Sequence, residues 1–163
     1  MTTRVPPHDL DSEQGLIGAA LLNDEWFQSQ VVPEAFYKTA HRVLWGTMSD
    51  MLARGERLDL TTVTAALRNQ GELEKVGGAG YLSKCTDAAV VVSHAPEYAG
   101  MVMDNATRRR AINAAREIEL QAFAGVSIDD LAAAVGETAR TVVTRSSRLV
   151  SGKAVARDLV NEL

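Results

Sequence analysis

Residues 93–124 read SHAPEYAGMVMDNATRRRAINAAREIELQAFA, and this stretch decides the fold. Its small and apolar residues recur at three- and four-residue spacings. Pro96 falls in the first turn, where a missing N–H is harmless, and Ser93 stands where a cap belongs. Helix is therefore predicted from Ser93 to about Ala124, long against the ~11–12 residues of an average helix. Gly125 interrupts it. Ser127 with Asp130 then offers a second capping box, and Leu131, Val135, Thr138 and Val142 continue an apolar stripe. Two helices joined across Gly125-Val126 are close enough to lie antiparallel, so residues 93–145 are predicted to form a helical hairpin.

Small residues form a seam on the first arm: Ala111, Ala114, Ala115, Ile118 and Ala122. Such a seam lets another helix approach closely. Packing within the hairpin is one use of it. A hairpin with small or apolar residues on more than one side cannot cover them all within one chain. Self-association through this seam, with Leu131, Val135 and Val142 opposite, is the favoured expectation. Arg108-Arg109-Arg110 sweep about 200° of helix and cannot project together. Arg109 lies in line with Tyr98, Met101, Val102, Asn105 and Ile112, and reads as a structural arginine; a grip on DNA phosphates is the alternative.

Upstream, residues 1–92 read as a head of several short helices. Asp11 is placed to cap a helix, with Gln14 returning the bond and Leu16, Ile17, Ala20 and Leu21 on one face. Pro33 limits the segment holding Val31, Val32, Phe36 and Tyr37 to short elements. Thr39 is the expected cap of a helix whose stripe is Val43, Leu44, Met48, Met51 and Leu52, ending at Gly55. Asp59 opens another, with Val63, Ala66 and Leu67 inward and Gly71 as the stop. Gly77-Gly78-Ala79-Gly80 reads as a tight connection before a short segment centred on Tyr81 and Leu82, and Val90-Val91-Val92 is the one strongly β-branched run. Downstream, residues 146–163 read as a linker followed by the start of an amphipathic helix through Val155, Leu159 and Val160. Its unfinished apolar face suggests truncation within a larger protein or a tail that docks on a partner. The expected architecture is all-α: head, antiparallel hairpin, and the start of a linker helix.

Composition narrows the chemistry. The 163 residues carry 46% hydrophobic and 23% charged side chains and a net charge of −4, which is globular and mildly acidic. Up to Ala106 there are 8 basic and 14 acidic residues, and from Thr107 onward 9 and 7, so an acidic head precedes a slightly basic hairpin and tail. The single cysteine, Cys85, excludes an internal disulfide and suits a reducing cytoplasm. No apolar run is long enough for a membrane span, so no membrane partner is expected.

Catalytic, cofactor and metal motifs are missing from the pattern. His8, His41 and His94 are far apart, with no HExxH spacing; His41 reads as a packed residue and Cys85 as a buried inert thiol. The glycines at 77, 78 and 80 continue into Tyr81-Leu82, not into Gly-Lys-Ser/Thr. Ser151-Gly152-Lys153 is followed by Ala154, where a magnesium-binding hydroxyl belongs. Catalysis by this chain alone is not expected.

Several ordered motifs resemble the N-terminal domain of the DnaB-type bacterial replicative DNA helicases. They are Pro6-Pro7-His8; Asp11-Ser12-Glu13-Gln14 with Leu16 to Leu22; Phe36-Tyr37 with His41; Leu58 to Val63; Gly71-Glu72-Leu73 running into Val76 to Leu82; and Tyr98-Ala99 with Met101-Val102 leading to Arg109 and Ile112. Ser12 stands where alanine is usual, Ala88 to Val92 replaces a more polar turn, and the RecA-like motor with its Walker motifs is absent from this chain. The resemblance implies a small helical head and a hairpin that pairs into dimers, three of which form a collar on a hexameric ring. It also implies a DnaG-type primase and, in some systems, a helicase loader as partners, and single-stranded DNA passing through the ring. ATP and Mg would belong to the motor domain of the parent protein, an ATP-dependent helicase. Tyr81, Gly78 and Arg109 are assigned structural roles, and the helix through Val155, Leu159 and Val160 resembles the linker helix. A stand-alone phage-type adaptor that mimics the collar without a motor is the alternative.

Overall fold

Apolar residues run round the whole circumference of the first helix, α1 (Leu10–Leu22), from Leu16 and Ile17 to Ala19, Ala20 and Leu21, and all five are buried. A helix apolar on every side must be surrounded, and α1 is the central element of the head. The computed structural model describes residues 4–140. Around α1 pack α2 (Thr39–Ala53), α3 (Leu60–Asn69) and α4 (Gly78–Ala88), with short 3₁₀ turns at Asp24–Trp26, Pro33–Ala35 and Val92–His94. Then come the long α5 (Ala95–Phe123) and α6, helical over residues 128–140. No strand occurs among the described residues, and the all-α expectation holds.

Local chemistry sets most of the ends. Asp59 caps α3 with a complete capping box, its carboxylate accepting from the N–H groups of Thr61 and Thr62 while the Thr62 hydroxyl meets the Asp59 N–H. Gly55 (φ 77) and Gly71 (φ 71) end α2 and α3 in the left-handed conformation. Behind them, Glu56 N–H reaches back to the Met51 carbonyl and Glu72 N–H to that of Leu67, the Schellman closure. Three caps differ from expectation, Ser93 among them, since it falls within the 3₁₀ turn before α5. Helix α1 is capped by Asp9, not Asp11: the Asp9 carboxylate accepts from the Ser12 N–H at 3.0 Å, and Gln14 instead reaches across to Tyr81. Thr39 is the first residue of α2 and makes no cap; a carboxylate from α1 takes that place.

The head's core is dominated by Trp45, stacked on Phe27 at 4.2 Å and tilted against Phe36, its indole N–H donating to the Val31 carbonyl at 2.7 Å. The glycine run is not a simple turn. Gly77 (φ 105) forms the bend and α4 starts at Gly78, so Tyr81 and Leu82 are helical. Val90 is 84% exposed and Val91 is also exposed; the β-branched run makes neither strand nor core. Helix α5 begins at Ala95, after a 3₁₀ turn that contains Ser93.

Two compact units divide the chain, Met1–Ala106 and Thr107–Leu163. The first takes in the start of α5, where Ala95, Ala99, Val102 and Ala106 are buried. In the second, α5 ends in another Schellman closure. Gly125 (φ 71) donates to the Ala122 carbonyl and Val126 to that of Gln121, and Ser127 then caps α6 by accepting from the Asp130 N–H at 3.1 Å.

Candidate functional site

Glu13 lies on the same face of α1 as Leu16, Ile17 and Ala20, and the fold buries it to 2% exposure. Its carboxylate accepts from the backbone N–H of Tyr37 at 2.6 Å and of Lys38 at 3.4 Å, at the start of α2. An anion at a helix N-terminus satisfies orphan donors and opposes the helix dipole favourably. The same carboxylate meets His41 Nδ1 at 2.6 Å, and His41 Nε2 lies 2.8 Å from the Tyr81 hydroxyl. Lys38 Nζ (2.6 Å) and Gln14 Nε2 (2.9 Å) both donate to that hydroxyl oxygen. With two donors aimed at its oxygen, the Tyr81 hydroxyl sends its own hydrogen to His41 Nε2, and Nδ1–H then faces Glu13. Every group in the chain has a partner. The Lys38 ammonium also sits 3.9 Å from the centre of the Tyr81 ring.

This network joins α1, the start of α2 and α4. Nothing in it resembles a nucleophile with an open approach: His41 and Glu13 are sealed, and Phe36 closes on the imidazole edge-on. Burial pushes the Cys85 thiol on α4 up to about 11, as expected of an inert thiol. A shallow cleft of about 560 Å³ lies between the ends of α2 and α3, but its arginines are taken up, Arg54 by Glu56 and Arg57 by Asp24, each at 2.7 Å. Among the described residues no group of His, Cys, Asp or Glu is placed to hold a metal, and no helix is long and apolar enough to cross a membrane.

Tyr81 is the hub of the network. Gly78 (φ 73), at the first position of α4, takes a backbone conformation that disfavours any side chain. Arg109 is half-buried on α5, Arg108 is exposed, and Arg110 donates to the Thr107 hydroxyl at 2.8 Å. Of the seam, Ala111, Ala114 and Ile118 are half-buried and Ala115 and Ala122 exposed; Leu131 is half-buried and Val135 exposed. Thr107, Ala111, Ala114, Ile118 and Gln121 form one half-buried face of α5 at helical spacing, and Leu131, Ala134 and Thr138 form one on α6. Val142, Val155, Leu159 and Val160 lie outside the described residues.

Two features escape a reading of sequence alone. One is Glu13, although a carboxylate in register with an apolar face was a usable signal. The other is the apolar surface about the Gly125 turn, where Phe123 is 86%, Ile128 78% and Leu120 64% exposed. No residue from 107 to 140 is buried.

Taken together, the chain is an all-helical protein with a complete core in its first unit and an exposed apolar turn in its second. It matches the family described as the DnaB-like helicase N-terminal domain over residues 5–104. It is 32% identical over 152 residues to the replicative DNA helicase DnaB of Geobacillus stearothermophilus, covering 91% of this chain and 33% of that protein. To the same helicase of Mycobacterium leprae it is 33% identical over 135 residues, covering 81% of this chain and 22% of that protein. The crystal structure of the N-terminal domain of DnaB helicase from Mycobacterium tuberculosis matches with a TM-score of 0.76 at 31% identity, covering 80% of this chain and 99% of that one. A structure of a DnaB-like replicative helicase and its interactions with primase shares the fold, with a TM-score of 0.70 at 23% identity, over 86% of this chain and 35% of that one. The chain belongs to the DnaB-like helicase N-terminal domain family. It spans about a third or less of the length of the curated relatives it matches.

Proposed function

We propose that this chain works as the assembly and docking piece of a replicative DNA helicase that unwinds DNA with ATP. The observation that carries this is the match to nearly the whole of a solved DnaB N-terminal domain. The second unit supports it physically. Residues 107–140 include none that is buried, so this stretch gains little from packing in one chain, and it presents Leu120, Phe123 and Ile128 to solvent. In this reading copies associate through Ala111, Ala114, Ala115, Ile118 and Ala122 with Leu131, Val135 and Val142. Dimers, then a trimer of dimers, form the collar of a ring that admits single-stranded DNA. A DnaG-type primase and, in some systems, a loader dock on the collar, and Val155, Leu159 and Val160 belong to the linker helix. In this reading ATP and Mg would be held by a RecA-like motor of the parent protein.

Sedimentation of the 163-residue chain tests the core of the proposal. Dimers or larger species are expected, with Ala115→Glu and Phe123→Asp shifting the population to monomer while far-ultraviolet circular dichroism of the head persists. A monomer at all concentrations, or variants that sediment like the parent, would refute it. Co-sedimentation with the cognate primase tests docking separately.

A further inference from the structure

The hydroxyl of Ser12, a residue only 4% exposed, lies between two acceptors. One is the Asp9 carboxylate at 2.7 Å; the other is the thioether sulfur of Met101, on α5, at 3.0 Å. A serine hydroxyl has one hydrogen. A carboxylate is the far stronger acceptor, so the hydrogen goes to Asp9 and the Met101 sulfur is left facing a hydroxyl oxygen. Met101 is 47% exposed, whereas Met48 and Met51 are sealed in the core at 0% and 1%.

We propose that Met101 is a site of reversible oxidation by hydrogen peroxide, and that its new sulfoxide oxygen crowds the Ser12 hydroxyl and loosens the start of α1. A sulfur lone pair attacks one peroxide oxygen. The S–O bond forms as the O–O bond breaks, sulfur is oxidised by two electrons, and the departing hydroxide takes the proton of the transferred hydroxyl and leaves as water. The sulfoxide is polar and a strong acceptor where the thioether was a weak one, and cellular reductases reverse the change. The sulfoxide oxygen stands on a sulfur already 3.0 Å from the Ser12 hydroxyl oxygen, whose hydrogen is turned to Asp9, so oxygen faces oxygen and Ser12 is pushed aside. Both bonds that Ser12 gives Asp9, from its hydroxyl at 2.7 Å and its backbone N–H at 3.0 Å, are then strained. Alanine at position 12 would break the link, because it has no hydroxyl for the new oxygen to meet.

Treating the full chain with dilute hydrogen peroxide and mapping peptides by mass tests this. Met1, as a terminal methionine, and Met103, half-buried on α5, are scored apart. Met101 is expected to gain oxygen at least ~10-fold faster than Met48 and Met51, and the oxidised protein to melt about 3–6 °C lower, reverting on treatment with a sulfoxide reductase. Ser12→Ala is expected to oxidise at Met101 with no further fall in melting temperature, and Met101→Leu to be indifferent to peroxide. Met101 resisting peroxide as the buried methionines do would overturn the proposal. So would an unchanged melting temperature after oxidation, or an equal fall in Ser12→Ala.

Discussion

Gly18 makes the closest helix contact in the head, and replacing it tests the packing directly. A Cβ built there would lie 1.8 Å from the carbonyl oxygen of Cys85, 2.5 Å from its carbon and 3.0 Å from the Ala89 Cβ. Both near atoms are backbone, so no rotamer change relieves the clash; α1 and α4 must part. Ordinary carbon–oxygen contact is near 3.2–3.4 Å, so the separation needed is roughly 1.5 Å. Overpacking typically costs about 1–3 kcal/mol and occasionally more; with two backbones involved the upper end applies. Alanine returns about 0.8–1 kcal/mol of helix propensity. Gly18→Ala should therefore lose about 2 kcal/mol net, a large share of the ~5–15 kcal/mol that holds a domain together. Gly100→Ala is the matched control: also in a helix, with nothing within 4 Å of its Cβ, it should gain up to about 1 kcal/mol. Urea unfolding at one fixed protein concentration, followed by tryptophan fluorescence, reads both variants. If Gly18→Ala unfolds at the parent's midpoint or above it, the close α1–α4 approach does not exist.

Glu13→Gln places an amide donor either against the Tyr37 N–H or against both the Lys38 N–H and the His41 Nδ1–H, and should destabilise the head by about 2–3 kcal/mol; an unchanged urea midpoint would contradict the network. Tyr81→Phe removes the common acceptor of Lys38 and Gln14, which can turn to water, and the donor to the sealed His41 Nε2, which cannot, and should cost about 1–3 kcal/mol. Cys85, with its thiol pushed from 9.0 to about 11 by burial, should react with thiol reagents at pH 8 at least ~100-fold more slowly than in the unfolded chain. Because the folded value is raised, its contribution to stability is whole below pH 9 and fades as pH climbs toward about 11. Comparing Cys85→Ala with the parent across that range checks the sign. The Asp9 carboxyl is held below its usual range, chiefly by the Ser12 backbone N–H and then by the Ser12 hydroxyl. The cap is present above the ordinary carboxylate value and lost as pH falls through the depressed one. Asp9→Ala should cost about 1 kcal/mol at pH 7 and much less at pH 2–3; a loss that does not depend on pH would assign the cap elsewhere.

How far the sequence was legible depended on the range of each interaction. Asp59 with Thr62, and the glycines at 55, 71 and 125, act within one turn of chain, and their helix ends fall where the pattern puts them. Helix α4 was hidden because its first residues, Gly78-Ala79-Gly80, have little intrinsic preference for helix; packing on α1 supplies what propensity lacks. Asp9 and Asp11 are equal candidates by residue type, and the choice rests on where the chain turns after Pro7. Tyr81 was marked only through its neighbours in the family motif. That its hydroxyl would gather Gln14, Lys38 and His41 depends on three segments meeting in space. The exposure of Val90 and Phe123 was likewise invisible, since hydrophobicity alone predicts burial and says nothing about which surface a second molecule would cover.

The two units differ in how their stability is supplied, and that difference bears on function. Trp45, Phe36, Leu16, Met48 and Leu82 are sealed in the head, and the polar groups buried beside them are paired, so this unit has a core of its own. Residues 107–140 have well-formed helix ends but no sealed side chain. Caps and turns fix where helices start and stop at about 1 kcal/mol each; they do not replace a core. Full burial of side chains such as Leu120, Phe123 and Ile128 is worth about 1.5–3 kcal/mol apiece, which a single copy forgoes and a docked surface would recover. On the proposed function that molecule is another copy of the chain, and the apolar side chains left in solvent between residues 107 and 140 are then the part of the described structure whose burial would add most.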